Sequence, residues 1–194
     1  MQFSTDDIKK LRDQTGAGMM DAKKALAETN SFDEAVAFLR KKGHAALAKK
    51  SDRAAKEGLV ASYIHAGGKV GVLLELNCET DFVARNEAFG QLAAEIALHI
   101  AATGPAYVTR NEVPAAAIDA ERQIYAEQIK DKPEQMREQI IAGKLEKYYE
   151  QTCLLDQAYV RDPEKKIKDL IAEKVSQLGE NIQVRRFVRY VLGA

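Results

Sequence analysis

The chain has 194 residues, enough for one medium domain or for a small module beside a larger one. Its 46% hydrophobic and 30% charged residues are ordinary for a soluble globular protein. Its 29 Lys and Arg balance 29 Asp and Glu, so no net field draws it to nucleic acid or to an anionic membrane.

The start, Met1 to Asp7, is polar and acidic, unlike a secretory or transit peptide. Residues 1–43 read as three short helices. Ser4 or Thr5 can cap the first, with Asp6 and Asp7 in its favourable first turn. Gly16-Ala17-Gly18 breaks it, and a second helix with Ala22, Ala25 and Leu26 inward follows over 19–28. Ser31 and Glu34 form a capping box for the third, which Gly43 is placed to stop. Residues 41–56 are rich in Ala, Lys and Arg. They read as a solvated linker or a helix extension, or as a contact for an acidic surface or RNA.

Residues 58–65 and 69–77 give the clearest strand signal, flanking Gly67-Gly68 as a two-residue hairpin turn. Val70, Val72, Leu74 and Leu76 share one face of the second strand. Leu73 makes the other face partly apolar, which predicts a central strand covered on both sides, with Glu75 and Asn77 marking the wetter side. The strand runs into Thr80-Asp81-Phe82-Val83-Ala84-Arg85-Asn86, an apolar turn where a polar one is usual. Phe82 beside Asp81 suits insertion into a partner; alternatively Phe82 folds back over the sheet–helix seam. Asn86 then caps a helix to about residue 102, carrying Phe89, Leu92, Ala93, Ile96, Ala97 and Ile100 at helical spacing. His99 falls beside that stripe as a structural histidine.

Pro114 fits the start of a helix to about residue 131, Pro133 restarts one, and Gly143 is expected to break it before a last helical piece with Tyr148 and Tyr149. Residues 165–178 form a strongly amphipathic helix closed by Gly179. Ile182, Val184, Arg186, Val188, Tyr190 and Leu192 then alternate with Gln183, Arg185, Phe187, Arg189 and Val191, the period of a strand. The expected fold is α+β: a three-helix module and basic linker over 1–54, then a core over 55–194. That core holds a three-stranded antiparallel sheet under helices, with a helical insertion at about 105–160.

Reactive chemistry is hard to find. Thr15-Gly16-Ala17-Gly18 lacks the P-loop pattern and follows no strand, so it reads as a turn between helices. No GxSxG or HExxH motif occurs, and His44, His65 and His99 are scattered. Cys78 and Cys153 lack any metal-ligand or CxxC spacing, so they read as free thiols of a reducing, cytoplasmic compartment. The residues alone point to an α+β binding protein that is not an enzyme and needs no cofactor or metal. Two other classes remain beside it: an RNA- or ribosome-binding protein using residues 41–56 with Arg185, Arg186 and Arg189, and an enzyme of unrecognised type.

Three segments narrow the choice. Leu11-Arg12-Asp13-Gln14-Thr15-Gly16-Ala17-Gly18-Met19-Met20-Asp21-Ala22-Lys23-Lys24-Ala25-Leu26 resembles the opening of bacterial and organellar elongation factor Ts. So do Leu74-Glu75-Leu76-Asn77-Cys78-Glu79 with the Thr80–Asn86 run, and Gly179-Glu180-Asn181-Ile182-Gln183-Val184-Arg185-Arg186. Ala22 stands where the family often has Cys, a small-for-small exchange. The resemblance implies a guanine nucleotide exchange factor for elongation factor Tu, with an N-terminal module resembling a ubiquitin-associated domain. It places Leu11, Arg12, Met19 and Met20 in or near the contact with the partner's GTP-binding domain. For Leu11 and one of the methionines, packing of the module is the other reading. It places Thr80, Asp81, Phe82 and Val83 near the partner's Mg²⁺ and nucleotide phosphates. It also implies a homodimer binding two partner molecules, and no direct nucleotide, membrane or specific nucleic-acid binding. The last strand, Arg185 to Leu192, reads as a candidate edge for that dimer, as a contact for the partner's other domains, or as an internal sheet strand.

Overall fold

The computed structural model describes residues 3–194; Met1 and Gln2, the first residues of the polar N-terminus, lie outside the described residues. Ser4 caps α1 (Thr5–Thr15) in a closed box: its hydroxyl accepts from the Asp7 amide, and the Asp7 carboxylate accepts from the Ser4 amide at 2.8 Å. With α2 (Met19–Glu28) and α3 (Phe32–Lys50) it encloses Leu11, Ala22, Ala25, Leu26, Ala35 and Leu39. Half of that cluster is alanine, so the helices pack closely but bury little apolar surface each.

The second half of α3 is packed elsewhere. The helix passes Gly43 without stopping, so residues 41–50 are the helix extension rather than a linker. Gly43 serves close approach: a Cβ there would lie 3.3 Å from the Ala172 carbonyl oxygen of α8 (Ile167–Leu178). Its backbone penalty of about 1 kcal/mol is too small to end a helix held on both sides. Ala46 and Leu47 reach the main core, and His44 Nε2 lies 2.6 Å from Asp169 Oδ1.

β1 (Glu57–Ile64) and β2 (Val70–Cys78) form the expected hairpin, but its loop is wider than two residues. The turn spans residues 65–68, closed by the Gly68 amide on the His65 carbonyl, and both glycines have positive φ. β5 (Gln183–Val191) pairs antiparallel with β2, giving the order β1-β2-β5. Val72, Leu74 and Leu76 of the central strand meet Phe89, Leu92, Ile96 and Ile100 of α5 (Glu87–Thr103) and Ile171 and Val175 of α8. Asn77 is buried, not wet, because its amide donates to the Glu57 carbonyl.

Two expectations about the sheet fail together. The ladder pairs Glu75 with Arg186 but Leu76 with Val184, so a bulge at Arg185 flips the parity of β5. Val184 faces the core, whereas Val188 and Tyr190 face out and Phe187 packs inward. Leu73 is 48% exposed, so helices cover one face of the sheet only. The outer face carries Val60, Ile64, Leu73, Val188, Tyr190 and Leu192.

The insertion is a helical hairpin, α6 (Ala115–Gln128) and α7 (Glu134–Thr152), around Ile129, Ile141 and Leu145. α7 continues through Gly143, where a side chain would meet open space. β3 (Ala158–Tyr159) and β4 (Asp162–Lys166) form a small ribbon that sequence periodicity does not reveal; β4 takes the first residues expected of α8. Arg110 pins the insertion's base, chelating Glu146 of α7 and the buried Asp156 with bonds of 2.8–3.0 Å.

Candidate functional site

Where β2 ends, the chain turns sharply into α4 (Asp81–Ala84), a single helical turn. Thr80 is extended (φ −128°, ψ 157°) and its hydroxyl accepts from the Val83 amide at 3.4 Å, so it is a helix cap. One turn can bury one side only. Val83 and Ala84 take that side, packing against the main core. Phe82 is left pointing away, 80% exposed. Of the two readings open for Phe82, folding back over the seam is therefore excluded in this conformation; Val83 fills that place. Asp81 sits at the positive end of the turn and pairs with Arg85 at 3.0 Å.

The turn is anchored from behind. Cys78 is fully buried, its thiol donating to the Thr80 carbonyl at 3.1 Å, and burial pushes the thiol up to about 11. Glu180, from the far end of the chain, accepts the backbone amides of Glu79 and Thr80. Glu79 and Glu180 were not singled out as site residues by the sequence. The signal was present only as their membership of two long motifs, because nothing in linear spacing joins positions 100 apart.

In the module, the Gly16–Gly18 turn does what the glycines suggested. Gly16 ends α1 in the left-handed region and Gly18 precedes α2. Met19 and Met20 stand at the start of α2, 49% and 74% exposed. Arg12 is also exposed, beside Asp13 at 3.4 Å. Leu11 is fully buried in the module core, so its surface is spent on packing and supports the others from below. Thr80, Asp81, Phe82 and Val83 are thus brought together on one turn, while Arg12, Met19 and Met20 lie in the separate module.

Among the described residues, no group of three or more His, Cys, Asp or Glu side chains is placed to hold a metal ion, and no helix is long and apolar enough to cross a membrane. His99 is buried. Its Nε2 donates to Gln157 Oε1 at 2.9 Å while Nδ1 accepts from the Val160 amide at 3.4 Å, which satisfies the neutral ring. The basic stretch is partly spent within the fold: Lys42 pairs with Asp21, Lys50 donates to the Gly179 carbonyl, and Arg53 lies 3.5 Å from Glu79.

A family model described as Elongation factor TS matches residues 5–194. The chain is 55% identical to the elongation factor Ts of Thermodesulfovibrio yellowstonii, covering 100% of this chain and 98% of that one. It is 56% identical to that of Fervidobacterium nodosum, with 100% of both chains covered. It is 58% identical to that of an Anaeromyxobacter species, covering 99% of this chain and 89% of that one.

Proposed function

The chain belongs to the elongation factor Ts family, and on that footing we propose that it is a guanine nucleotide exchange factor for the translational GTPase elongation factor Tu. It works in the cytoplasm, by binding and without covalent chemistry, and takes up no nucleotide or metal of its own. The observation that carries this reading is Phe82: an aromatic ring 80% exposed on a braced turn beside a carboxylate. Burying such a ring in a partner contributes about 1.5–3 kcal/mol, and a preformed turn loses little entropy on docking.

In this mechanism Phe82 wedges between partner side chains that orient the Mg²⁺ shell, with Val83 supporting it and Thr80 holding the turn. Mg²⁺ demands near-ideal octahedral geometry, so small displacements of its ligands weaken it. Asp81 brings negative charge toward the same site. Once the ion is loosened, the phosphates lose their counter-charge and GDP leaves. Linkage makes the effect reciprocal, so nucleotide rebinding expels the factor. Arg12, Met19 and Met20, supported by Leu11, dock the module of residues 1–54 on the partner, and residues 55–194 carry the wedge. Flexible, polarisable methionines suit that contact.

The same reading includes a homodimer. The outer sheet face is apolar, and its Glu75 and Arg186 pair with each other at 2.7 Å. A two-fold interface uses the same patch on both copies, and an apolar patch is self-complementary. The RNA reading is weakened, because Arg186 is held by Glu75 and Arg189 donates to the Ala101 carbonyl.

The test is release of a fluorescent GDP analogue from elongation factor Tu. Wild type is expected to accelerate release strongly, and Phe82→Ala to lose at least about tenfold of that while retaining most binding to the nucleotide-free partner. No acceleration by wild type overturns the function; equal acceleration by both proteins removes the role of Phe82.

A further inference from the structure

The last antiparallel pair between β2 and β5 is Asn77 with Gln183. Beyond it the strands part, and the amides of Glu79 and Thr80 have no strand to bond to. The carboxylate of Glu180 takes them over. Its Oε2 accepts the Glu79 amide at 3.1 Å and the Thr80 amide at 3.0 Å, and its Oε1 accepts the Thr80 hydroxyl at 2.6 Å. Charge-assisted bonds of this kind are about twice as strong as neutral ones.

The third bond also sets direction. A hydroxyl has one proton to give. Because Thr80 gives it to Glu180, its oxygen is free to accept from Val83 at the start of α4. The carboxylate thereby fixes the helix cap, and the cap fixes which way Phe82 points. The clamp is reciprocal: Glu79 Oε1 accepts the Asn181 amide at 2.7 Å. Asn181, 1% exposed, donates its side-chain amide to the carbonyl of Arg53 at 2.8 Å. That bond reaches the segment that follows α3. One turn after α8 thus ties together the wedge, the sheet end and the chain leaving the N-terminal module.

We propose that Glu180 is the positioning residue of the exchange element, holding the Glu79–Thr80 backbone and the Thr80 cap so that Phe82 is presented ready to insert. The role rests on the exchange function proposed above. Glu180 need not touch the nucleotide, and its effect on exchange runs through Phe82.

The experiment has two readouts. The first is amide hydrogen exchange in the free, full-length protein, which requires no partner. In Glu180→Ala, the amides of residues 79, 80 and 83 are expected to exchange roughly tenfold faster or more, while those of residues 72–76 keep their protection. The second is GDP release against factor concentration. The maximal rate is expected to fall roughly tenfold, with the half-saturating concentration changed by less than about threefold. Glu180→Gln keeps an oxygen for the two amides and is expected to recover most of the rate. Glu180→Asp keeps the charge but withdraws it by one methylene, so it tests the clamp even if the alanine variant does not fold; it is expected to lose both protection and rate. Adding Glu180→Ala to Phe82→Ala should cost little beyond Phe82→Ala alone.

Unchanged protection and rate in Glu180→Ala or Glu180→Asp, beside an active wild type, overturn the role of Glu180 alone. So does full additivity with Phe82→Ala. A wild type that does not accelerate release overturns the exchange reading itself, and the positioning role with it.

Discussion

A residue's exposure in this fold follows from how many sides its element can bury. Phe82 is outside because a single helical turn has room for Val83 and Ala84 beneath it and nothing more. The two cysteines show the opposite condition. Cys78 and Cys153 are buried thiols, both raised by burial, Cys78 to about 11. Since the thiolate is the reactive form, iodoacetamide at pH 7.5 is expected to leave both unmodified in the folded protein and to label both in denaturant. Labelling of Cys78 without denaturant would mean that the turn opens. His99 is held neutral, its proton affinity lowered by burial from 6.5. The unfolded chain therefore binds the proton first as pH falls. The stability His99 contributes is complete above the unfolded value and is lost on acidification below it. Melting temperature should fall between about pH 7 and 5.5 more steeply in wild type than in His99→Gln. Parallel profiles for the two proteins would refute this.

At the scale of elements, local signals succeeded where one segment decides its own state. The capping residues Ser4, Ser31 and Asn86 start helices where the sequence put them. Signals that depend on a neighbour misled. Gly43 and Gly143 look alike in sequence. One fits against Ala172 and the other faces open space, and neither ends its helix. The bulge at Arg185 was invisible because alternation is counted along one strand, whereas a bulge is defined by the partner. The insertion offers a direct test of an element's anchor. Arg110→Ala would leave the buried Asp156 with only Lys168 at 3.4 Å. Urea unfolding is expected to show a loss of about 2–3 kcal/mol. A loss below about 0.5 kcal/mol would mean that the insertion does not depend on this pin.

For the whole molecule, the question is what covers the outer sheet face. Leu73 implied a second covering layer, and the described residues do not supply one. A second copy does so in the homodimer proposed for the protein. Wild type at about 10 µM should sediment as two chains, and Leu73→Glu should weaken association by at least about 100-fold while folding normally, because Leu73 is already half exposed. A wild type that sediments as one chain at that concentration rules out this use of the face. Under the proposed division into residues 1–54 and 55–194, α3 joins the two cores. Its first half belongs to the module cluster and its second half packs on α8. Limited proteolysis is expected to cut at residues 51–56, after the helix, before it cuts within α3.

The sequence by itself determined the α+β class, the three-helix start, the hairpin and most helix boundaries, and the three long motifs that place the chain in its family. These follow from periodicity, caps and residue identity, which are local properties of a chain. Only the tertiary structure decided that Phe82 projects, that Leu11 is spent on packing, that β5 changes face at Arg185, and that Glu180 meets Thr80 across 100 residues. Each of these depends on which distant groups compete for the same space or the same hydrogen bond, and neither spacing nor composition records that competition.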